Sequence, residues 1–169
     1  MRKHATVLSG LALGLALAIP AHAAGMIEVS FKDPEKFADA GRSAFDRDKT
    51  VDGLRSHFEG LAKKLPDGQT LKIEVLDVDR AGEISFNARA NDIRVMKGQA
   101  DWPRIKLNYT LLVPGQPDRS GTENLADMNY LQNPGRADST DLAYERRMID
   151  RWFDKTFTAP KAPKAAKSK

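Results

Sequence analysis

Residues 101–112 read DWPRIKLNYTLL and hold the clearest strand pattern in the chain. From Ile105 to Leu111 every second residue is apolar, and the residues between them are polar. A period of two is typical of a strand that buries one face. Pro103 fits the first residue of such a strand, where no main-chain donor is needed. The pattern therefore predicts a half-buried strand, around which the other elements can be placed.

Four elements are predicted before this strand. Residues 26–31 alternate between polar and apolar and predict a first strand. Asp33 followed by proline predicts an N-cap and a short helix that ends at Gly41. Apolar residues spaced by three and four predict a helix over 50–65, and residues 71–79 predict a second strand.

The remaining segments complete the prediction of the fold. Residues 83–88 and 92–96 predict one bent strand or two short ones, and residues 119–126 predict an antiparallel partner of the central strand. Residues 138–140 offer N-caps for a last helix, whose broad apolar face extends over 142–157. This order predicts an α+β fold in a single domain. We expect a mixed or antiparallel sheet of four to five strands, with helices mostly on one face.

The two ends of the chain have compositions unlike that of a folded domain. Residues 1–23 combine two basic residues, an apolar run and an Ala-His-Ala motif, which predicts a signal peptide cleaved after Ala23. The apolar run is about 15 residues long, short of the roughly 20 that span a membrane. Residues 158–169 are rich in Lys, Pro and Ala and predict a disordered tail. The sequence thus predicts one domain over 24–157, exported to the periplasm.

The charge of the chain is concentrated at its ends. The formal net charge is +4, but all 23 acidic residues lie within 24–157, whereas the tail has four lysines and no acid. Nucleic-acid binding is excluded because the folded part has no basic stripe with interleaved aromatic residues. The tail is interpreted as a solubilising end, with weak contact to an anionic envelope surface as the alternative.

Several kinds of chemistry lack the residues that they need. The chain has no cysteine, and His57 is the only histidine outside the signal peptide, at the edge of a helical stripe where a structural role is expected. The segment from Asp77 to Ala88 resembles a calcium loop, but alanines occupy two ligand positions. No phosphate loop, dinucleotide fingerprint or G-x-S-x-G motif occurs. We therefore predict no metal and no cofactor.

Acidic and basic residues recur near the ends of neighbouring predicted strands. In the strand predicted over 71–79, Asp77 and Asp79 share the face of the apolar residues and require partners there. We predict a polar centre that aligns the strands, with a loss of roughly 2 to 5 kcal/mol when one buried partner is removed. Its candidate residues are Asp77, Asp79, Asp101, Arg94 and Arg104.

An alternative role for the acids is catalysis. Asp77, Asp79, Glu83 and Asp101 could supply the carboxylate pair of a glycoside hydrolase, although the sequence sets neither their separation nor a raised pKa. Trp102 is a candidate ligand contact, although a tryptophan at the start of a strand more often packs the sheet against a helix.

A resemblance to a known family is carried by motifs spread over the chain. They are F-x-D-P-x-K-F at 31–37, D-V-D-x-A-G-E at 77–83, R-V-M at 94–96, D-W-P-R-I at 101–105, D-M-N-Y-L at 127–131, Y-E at 144–145 and W-F at 152–153. Together they resemble a family of exported bacterial proteins described only as a domain of unknown function. The resemblance implies a periplasmic protein and supplies no catalytic residues. We expect a non-catalytic envelope binding or accessory module that contacts an envelope component, with a carboxylate-based hydrolase of cell-wall glycan as the alternative.

Overall fold

The computed structural model describes residues 24–85, 93–98, 100–132 and 141–158. The predicted signal peptide, the N-caps at 138–140 and all of the tail after Thr158 lie outside these residues. The elements are β1 (Met26–Phe31), α1 (Ala44–Gly60), β2 (Thr70–Asp79), β3 (Glu83–Ser85), β4 (Ile93–Val95), β5 (Arg104–Leu112), β6 (Arg119–Ala126) and α2 (Ala143–Thr156). Short 3-10 turns occupy Pro34–Lys36 and Leu61–Lys64.

The main sheet has four strands in the order β1-β2-β5-β6. Strand β1 runs parallel to β2, whereas β2, β5 and β6 pair antiparallel, so the sheet is mixed. Strands β3 and β4 form a separate hairpin. The prediction of an α+β domain with a mixed sheet of four to five strands is therefore confirmed.

The core lies between one face of this sheet and the two helices. Ile105, Leu107 and Leu111 of β5 are buried, as their alternation predicts. They belong to the same apolar cluster as Phe58 of α1 and Phe153 of α2, neither of which is exposed. The opposite face of the sheet is polar, because the residues between the apolar ones on each strand point away from the helices.

A bulge in β2 overturns the prediction that Asp77 and Asp79 share the apolar face. Val75 pairs with Leu107, but the next partner along the ladder, Lys106, faces Asp77, so one residue is inserted. An inserted residue shifts the alternation by one position. Val78 is consequently buried, and Asp77 and Asp79 lie on the polar face instead.

Helix α1 begins earlier than its apolar stripe predicts. Ser43 accepts a hydrogen bond from the amide of Asp46, and the Asp46 carboxylate accepts one from the Ser43 amide, which forms a capping box. A capping box stabilises the first turn without any apolar residue. The helix therefore also includes residues 44–49, which are polar apart from Ala44 and Phe45. Its last predicted residues form the 3-10 turn Leu61–Lys64.

The helix predicted between Asp33 and Gly41 is reduced to a single 3-10 turn. Asp33 has a φ of 49° and does not cap the turn, because its carboxylate binds Lys36 instead. Beyond the turn, the Asp39 amide donates to Val78 O at 2.9 Å and Asp39 O accepts from the Arg80 amide at 3.1 Å. The chain is extended there because it pairs with the end of β2.

Candidate functional site

The end of β2 leads into a buried arginine that joins three parts of the fold. Arg80 is only 6% exposed. Its guanidinium donates to Thr50 Oγ1 on α1 at 3.3 Å, and to both the main-chain oxygen and Oδ1 of Asp141 at 2.8 Å. A rigid planar fork of donors suits such a set of acceptors. Arg80 thereby ties β2 to α1 and to the residues before α2.

The next residue binds a buried carboxyl group. The Ala81 amide donates to Glu145 Oε1 at 2.8 Å, and Glu145 is 2% exposed. Burial raises the pKa of Glu145, although the Ala81 amide and Arg80 favour its charged form. A raised pKa is a property of catalytic acids, but an enclosed carboxyl that accepts from a main-chain amide also fits a structural role.

Arg94 of β4 joins the small hairpin to the loop that pairs with the end of β2. Its guanidinium donates to the two carboxylate oxygens of Asp39 at 2.7 and 3.2 Å, and to Gly82 O at 2.7 Å. The Arg94 side chain is 12% exposed, so this two-pronged pair is largely shielded from water. The loop containing Asp39 and the hairpin are therefore held together next to Arg80.

These residues surround a cleft of about 210 Å³, here called the basic cleft. Its lining comes from the loop before α1, from α1 itself, from the end of β2, from the hairpin and from the residue before Leu142. The lining residues are Gly41, Arg42, Asp46, Lys49, Arg80, Ile84, Arg94 and Asp141. Four of them are basic and two are acidic, and Arg80 and Arg94 are paired with Asp141 and Asp39.

The two acidic residues of the basic cleft, Asp46 and Asp141, are bound to neighbouring groups. Partial burial alone would raise the pKa of Asp141, but Arg80 and Lys49 outweigh burial and hold that pKa below its usual value. The hydrogen bond from Ser43 lowers the pKa of Asp46. Both residues lie at the start of a helix, where the dipole also favours negative charge. Both carboxylates are therefore held in their charged form by the groups around them.

A second polar cluster lies where the chain enters β5. Asp101 Oδ1 accepts from the Tyr130 hydroxyl at 2.7 Å, and Asp101 Oδ2 accepts from the Lys97 amide at 2.6 Å. The same hydroxyl accepts from the Gly98 amide at 3.1 Å. Tyr130 is not exposed, and burial followed by the Asp101 hydrogen bond raises its pKa to about 12. This cluster joins residues 97–101 to the segment after β6.

The five residues predicted as a polar centre are distributed over separate contacts. Asp79 and Arg104 are brought together, with Arg104 Nη1 2.6 Å from Asp79 Oδ2. Asp77 accepts from the Ala38 amide at 2.9 Å, whereas Arg94 pairs with Asp39 and Asp101 binds Tyr130. All four contacts join different segments of the chain.

Trp102 lies beside the Asp79–Arg104 pair. The Arg104 guanidinium carbon is 4.5 Å from the centroid of the Trp102 ring, a cation–π geometry. Partial burial raises the pKa of Asp79, while Arg104 opposes that rise. One face of the Trp102 ring is thus in contact with Arg104. The prediction that Trp102 contacts a ligand stays a prediction.

The residues that form the basic cleft were missed by sequence reasoning, except for Arg94. Arg80 and Asp141 are 61 positions apart, and no local pattern connects them. The sequence places Arg80 directly after the predicted strand 71–79 and before Ala-Gly, which does not indicate its partners. Identifying its partners required the tertiary structure.

The polar face of the sheet holds a shallow depression of about 430 Å³. Ser30, Glu74, Asn108 and Thr122 form one row across its four strands. Asn108 donates to Glu74 at 3.1 Å and accepts from Thr122 at 2.8 Å. Ser30 donates to the main-chain oxygen of Ile73, so every side chain of the row has a hydrogen-bond partner.

Two broader features bear on function. Within the described ranges, no three histidine or acidic side chains are grouped so that they could hold a metal ion. In the same residues, no helix has both the length and the apolar character needed to cross a membrane.

Comparison with known proteins identifies a family. The model of the family described as "Protein of unknown function (DUF3016)" matches residues 25–155, which include the six described strands and nearly all of α2. Neither the curated proteins nor the solved structures contain a match to the chain. The resemblance predicted from the sequence motifs is thus confirmed, and the chain belongs to the DUF3016 family.

Proposed function

We propose that this protein is a non-catalytic binding or accessory module of the bacterial envelope that acts in the periplasm. The observation that carries the proposal is that the carboxylates around the basic cleft are already bound to basic side chains or to a main-chain amide. Asp39 pairs with Arg94, Asp141 pairs with Arg80, and Glu145 accepts from a main-chain amide. Carboxylates that already accept hydrogen bonds from neighbouring groups fit a structural role.

The single histidine of the domain supports the same proposal. His57 Nε2 lies 3.0 Å from Asp150 Oδ1 and 3.1 Å from Arg146 O, so the ring bridges α1 and α2. Burial lowers the pKa of His57, although Asp150 favours its charged form. His57 does not line the basic cleft, and its ring is occupied by this bridge.

Export to the periplasm is supported by the sequence of residues 1–23. We expect protein expressed in a Gram-negative host to appear in the osmotic-shock fraction, with an intact mass that begins at Ala24. Uncleaved chain in the membrane fraction would refute this part of the proposal.

The alternative function is a carboxylate-based hydrolase of cell-wall glycan. One observation favours it: the raised pKa of Glu145 would suit a general acid. Against it, Glu145 is enclosed, whereas a general acid must reach the glycosidic oxygen of its substrate.

The two functions are separated by incubating the protein with purified peptidoglycan. We expect no release of soluble fragments above the buffer blank, with lysozyme as the positive control. In a separate incubation with a crude envelope fraction, we expect part of the protein to be retained in the pellet after centrifugation. Fragment release that Glu145→Gln abolishes without lowering the melting temperature would reject the module and establish the hydrolase.

A further inference from the structure

We propose that the outer edge of β6 pairs antiparallel with the same edge in a second copy of this chain, so that two four-stranded sheets join into one. This inference goes beyond the proposed function, because it identifies an interaction surface and its partner. It starts from the position of β6, which is the last strand of the main sheet and pairs only with β5 among the described elements. Its outer edge therefore presents main-chain donors and acceptors that no described strand uses.

The outer edge of β6 lacks features that often prevent such pairing. The strand is eight residues long, has an unbroken register with β5 and contains neither proline nor lysine. Five of its residues are exposed and only Leu125 is buried, so the helices leave this edge accessible. The edge at the other end of the sheet is different, because Arg55 of α1 donates to Val29 O of β1 at 2.8 Å.

The charges of β6 are complementary to themselves in one register. Arg119 and Glu123 lie opposite Leu111 and Leu107 of β5, so their side chains point to the side of the helices. When two β6 strands run antiparallel with Gly121 opposite Gly121, Arg119 of each copy lies opposite Glu123 of the other. Twofold symmetry produces this pair twice, and opposite charges at directly opposed positions favour pairing.

Glu123 is the residue whose environment the pairing would change most. It is partly buried, and its carboxylate has neither a hydrogen bond nor an ion pair to the described residues. An inward-pointing charge on an edge strand commonly prevents pairing, because a second strand would bury it alone. In this register the second strand supplies Arg119, whose guanidinium donates to Thr156 O in an exposed contact at 3.2 Å. The edge therefore excludes strands that have no cation at this position and accepts a second copy.

The remaining residues of β6 fit the same register. Ser120 lies opposite Thr122 on the polar face, where both are exposed, and hydroxyl pairs across strands are favourable. Gly121 lies at the symmetry axis, where the absence of a side chain lets the two main chains approach closely. In the adjacent register Glu123 faces Gly121, and one step further it faces Glu123 of the other copy. The ion pairs with Arg119 thus occur in one register only.

The test is sedimentation velocity of the mature chain from roughly 1 μM to 1 mM at low ionic strength, where we expect reversible formation of a dimer. Glu123→Arg places like charges opposite each other twice and should raise the dissociation constant at least ~10-fold. The matched control is Glu59→Arg, which makes the same change of charge at an exposed residue of α1 and should leave the constant unchanged. Equal melting temperatures at the lowest concentration establish that the variants are folded.

Two further measurements test the register and the main-chain pairing. The double variant Arg119→Glu with Glu123→Arg exchanges the two charges and should restore the affinity that either single change removes. In hydrogen exchange, the amides of β6 should exchange more slowly at the higher concentration, whereas those of β1 should be unchanged.

Three results would overturn the inference. A monomer at every concentration would show that Glu123 protects the edge, which would then be open only to a strand of another protein. A dimer that Glu123→Arg weakens no more than Glu59→Arg does would place the interface elsewhere. A double variant that stays as weak as the single ones would reject the register. None of these results concerns retention on envelope material or fragment release, so those assays test the proposed function separately.

Discussion

Three acidic side chains are buried in the described part of the chain, and each is matched to a donor from a distant segment. Asp101 binds Tyr130, Asp127 binds Arg151, and Glu145 binds the Ala81 amide. A buried carboxylate without donors would be costly, and in practice its pKa would shift until it became neutral. These contacts therefore specify how the segments meet, at a cost in desolvation that the donors offset.

The Tyr130 hydroxyl is expected to be important for stability because it serves two partners. Tyr130→Phe leaves Asp101 Oδ1 without this donor and the Gly98 amide without this acceptor. We expect a loss of about 2 kcal/mol or more in the free energy of unfolding, measured by urea denaturation. Tyr144→Phe is the matched control, since Tyr144 packs edge-on against Tyr130 but its hydroxyl makes no hydrogen bond to the described residues. Equal losses in both variants would contradict this role of the hydroxyl.

The same hydroxyl makes stability depend on alkaline pH. The pKa of Tyr130 is raised from 10.0 to about 12, so the folded state prefers the neutral phenol. The stabilisation is therefore fully present below pH 10 and is lost as the pH rises towards 12. We expect the difference in unfolding free energy between wild type and Tyr130→Phe to be constant below that range and to shrink within it. A difference that does not change with pH would show that the phenol ionises equally well in both states.

Two arginine variants compare the contribution of a shielded ion pair to stability with that of an exposed ion pair. Arg94→Ala should lower the free energy of unfolding by about 3 kcal/mol, because it leaves Asp39 and Gly82 O without their shared donor. Arg104→Ala should cost no more than about 1 kcal/mol, because the Arg104 side chain is 47% exposed. This value is below the range expected from the sequence, which placed Asp79 in the core. Urea denaturation of both variants in the same buffer measures the difference, and a larger loss for Arg104→Ala would reverse this assignment.

The β2 strand is the element on which the other parts of the fold converge. It pairs with β1 on one side and with β5 on the other, and its last residues contact Asp39 as well. Beyond its end, Gly82 turns the chain into the β3–β4 hairpin with a φ of +79°. This turn brings the hairpin close to β2, which places Arg94 beside Arg80.

The close approach at this turn predicts that Gly82 cannot be replaced. A Cβ at Gly82 would lie 2.6 Å from Met96 Sδ and 2.8 Å from Val95 O, in addition to the strain of positive φ. We expect Gly82→Ala to cost at least about 2 kcal/mol. Gly115→Ala is the matched control, since its φ is +75° but a Cβ there meets nothing within 4 Å. Thermal denaturation should show the larger decrease for Gly82→Ala, and equal decreases would show that the hairpin can move away.

The whole domain consists of two layers, a sheet and a pair of helices. The helices cover one face of the sheet, and aromatic residues close the core at its end. Phe157 contacts Tyr109 and Trp152 edge-on, with ring centroids 5.2 and 5.3 Å apart. Phe157 is the last buried residue of the described chain.

This arrangement predicts where the chain can be shortened. Truncation after Ala159 removes only residues without large apolar side chains, so the melting temperature should change by less than about 2 °C. Truncation after Thr156 also removes Phe157 and its ring contacts, and should lower the melting temperature by several times that amount. Differential scanning calorimetry of both chains provides the comparison. A large decrease on removal of the tail alone would show that the lysine-rich residues contribute to the fold.

The fold class could be predicted from local patterns, because a strand that packs one face against helices alternates apolar and polar residues. The alternation in β5 identified Ile105, Leu107 and Leu111 as core residues, and the sequence motifs identified the family. The period fails where one residue is inserted, which is why Asp77 and Asp79 were assigned to the apolar face. A bulge costs little locally and is stabilised by the pairing of neighbouring strands. The residues of the strand itself therefore do not predict it.

The basic cleft depended on contacts between distant residues. Arg80 meets Asp141 across 61 positions, and Arg94 meets Asp39 across 55. Among many acidic and basic residues, sequence alone permits numerous pairings of similar energy, because an ion pair depends on distance and burial. Packing of the helices against the sheet selects among these pairings: it brings α1, the end of β2 and the start of α2 together, and so gathers four cations around one cleft.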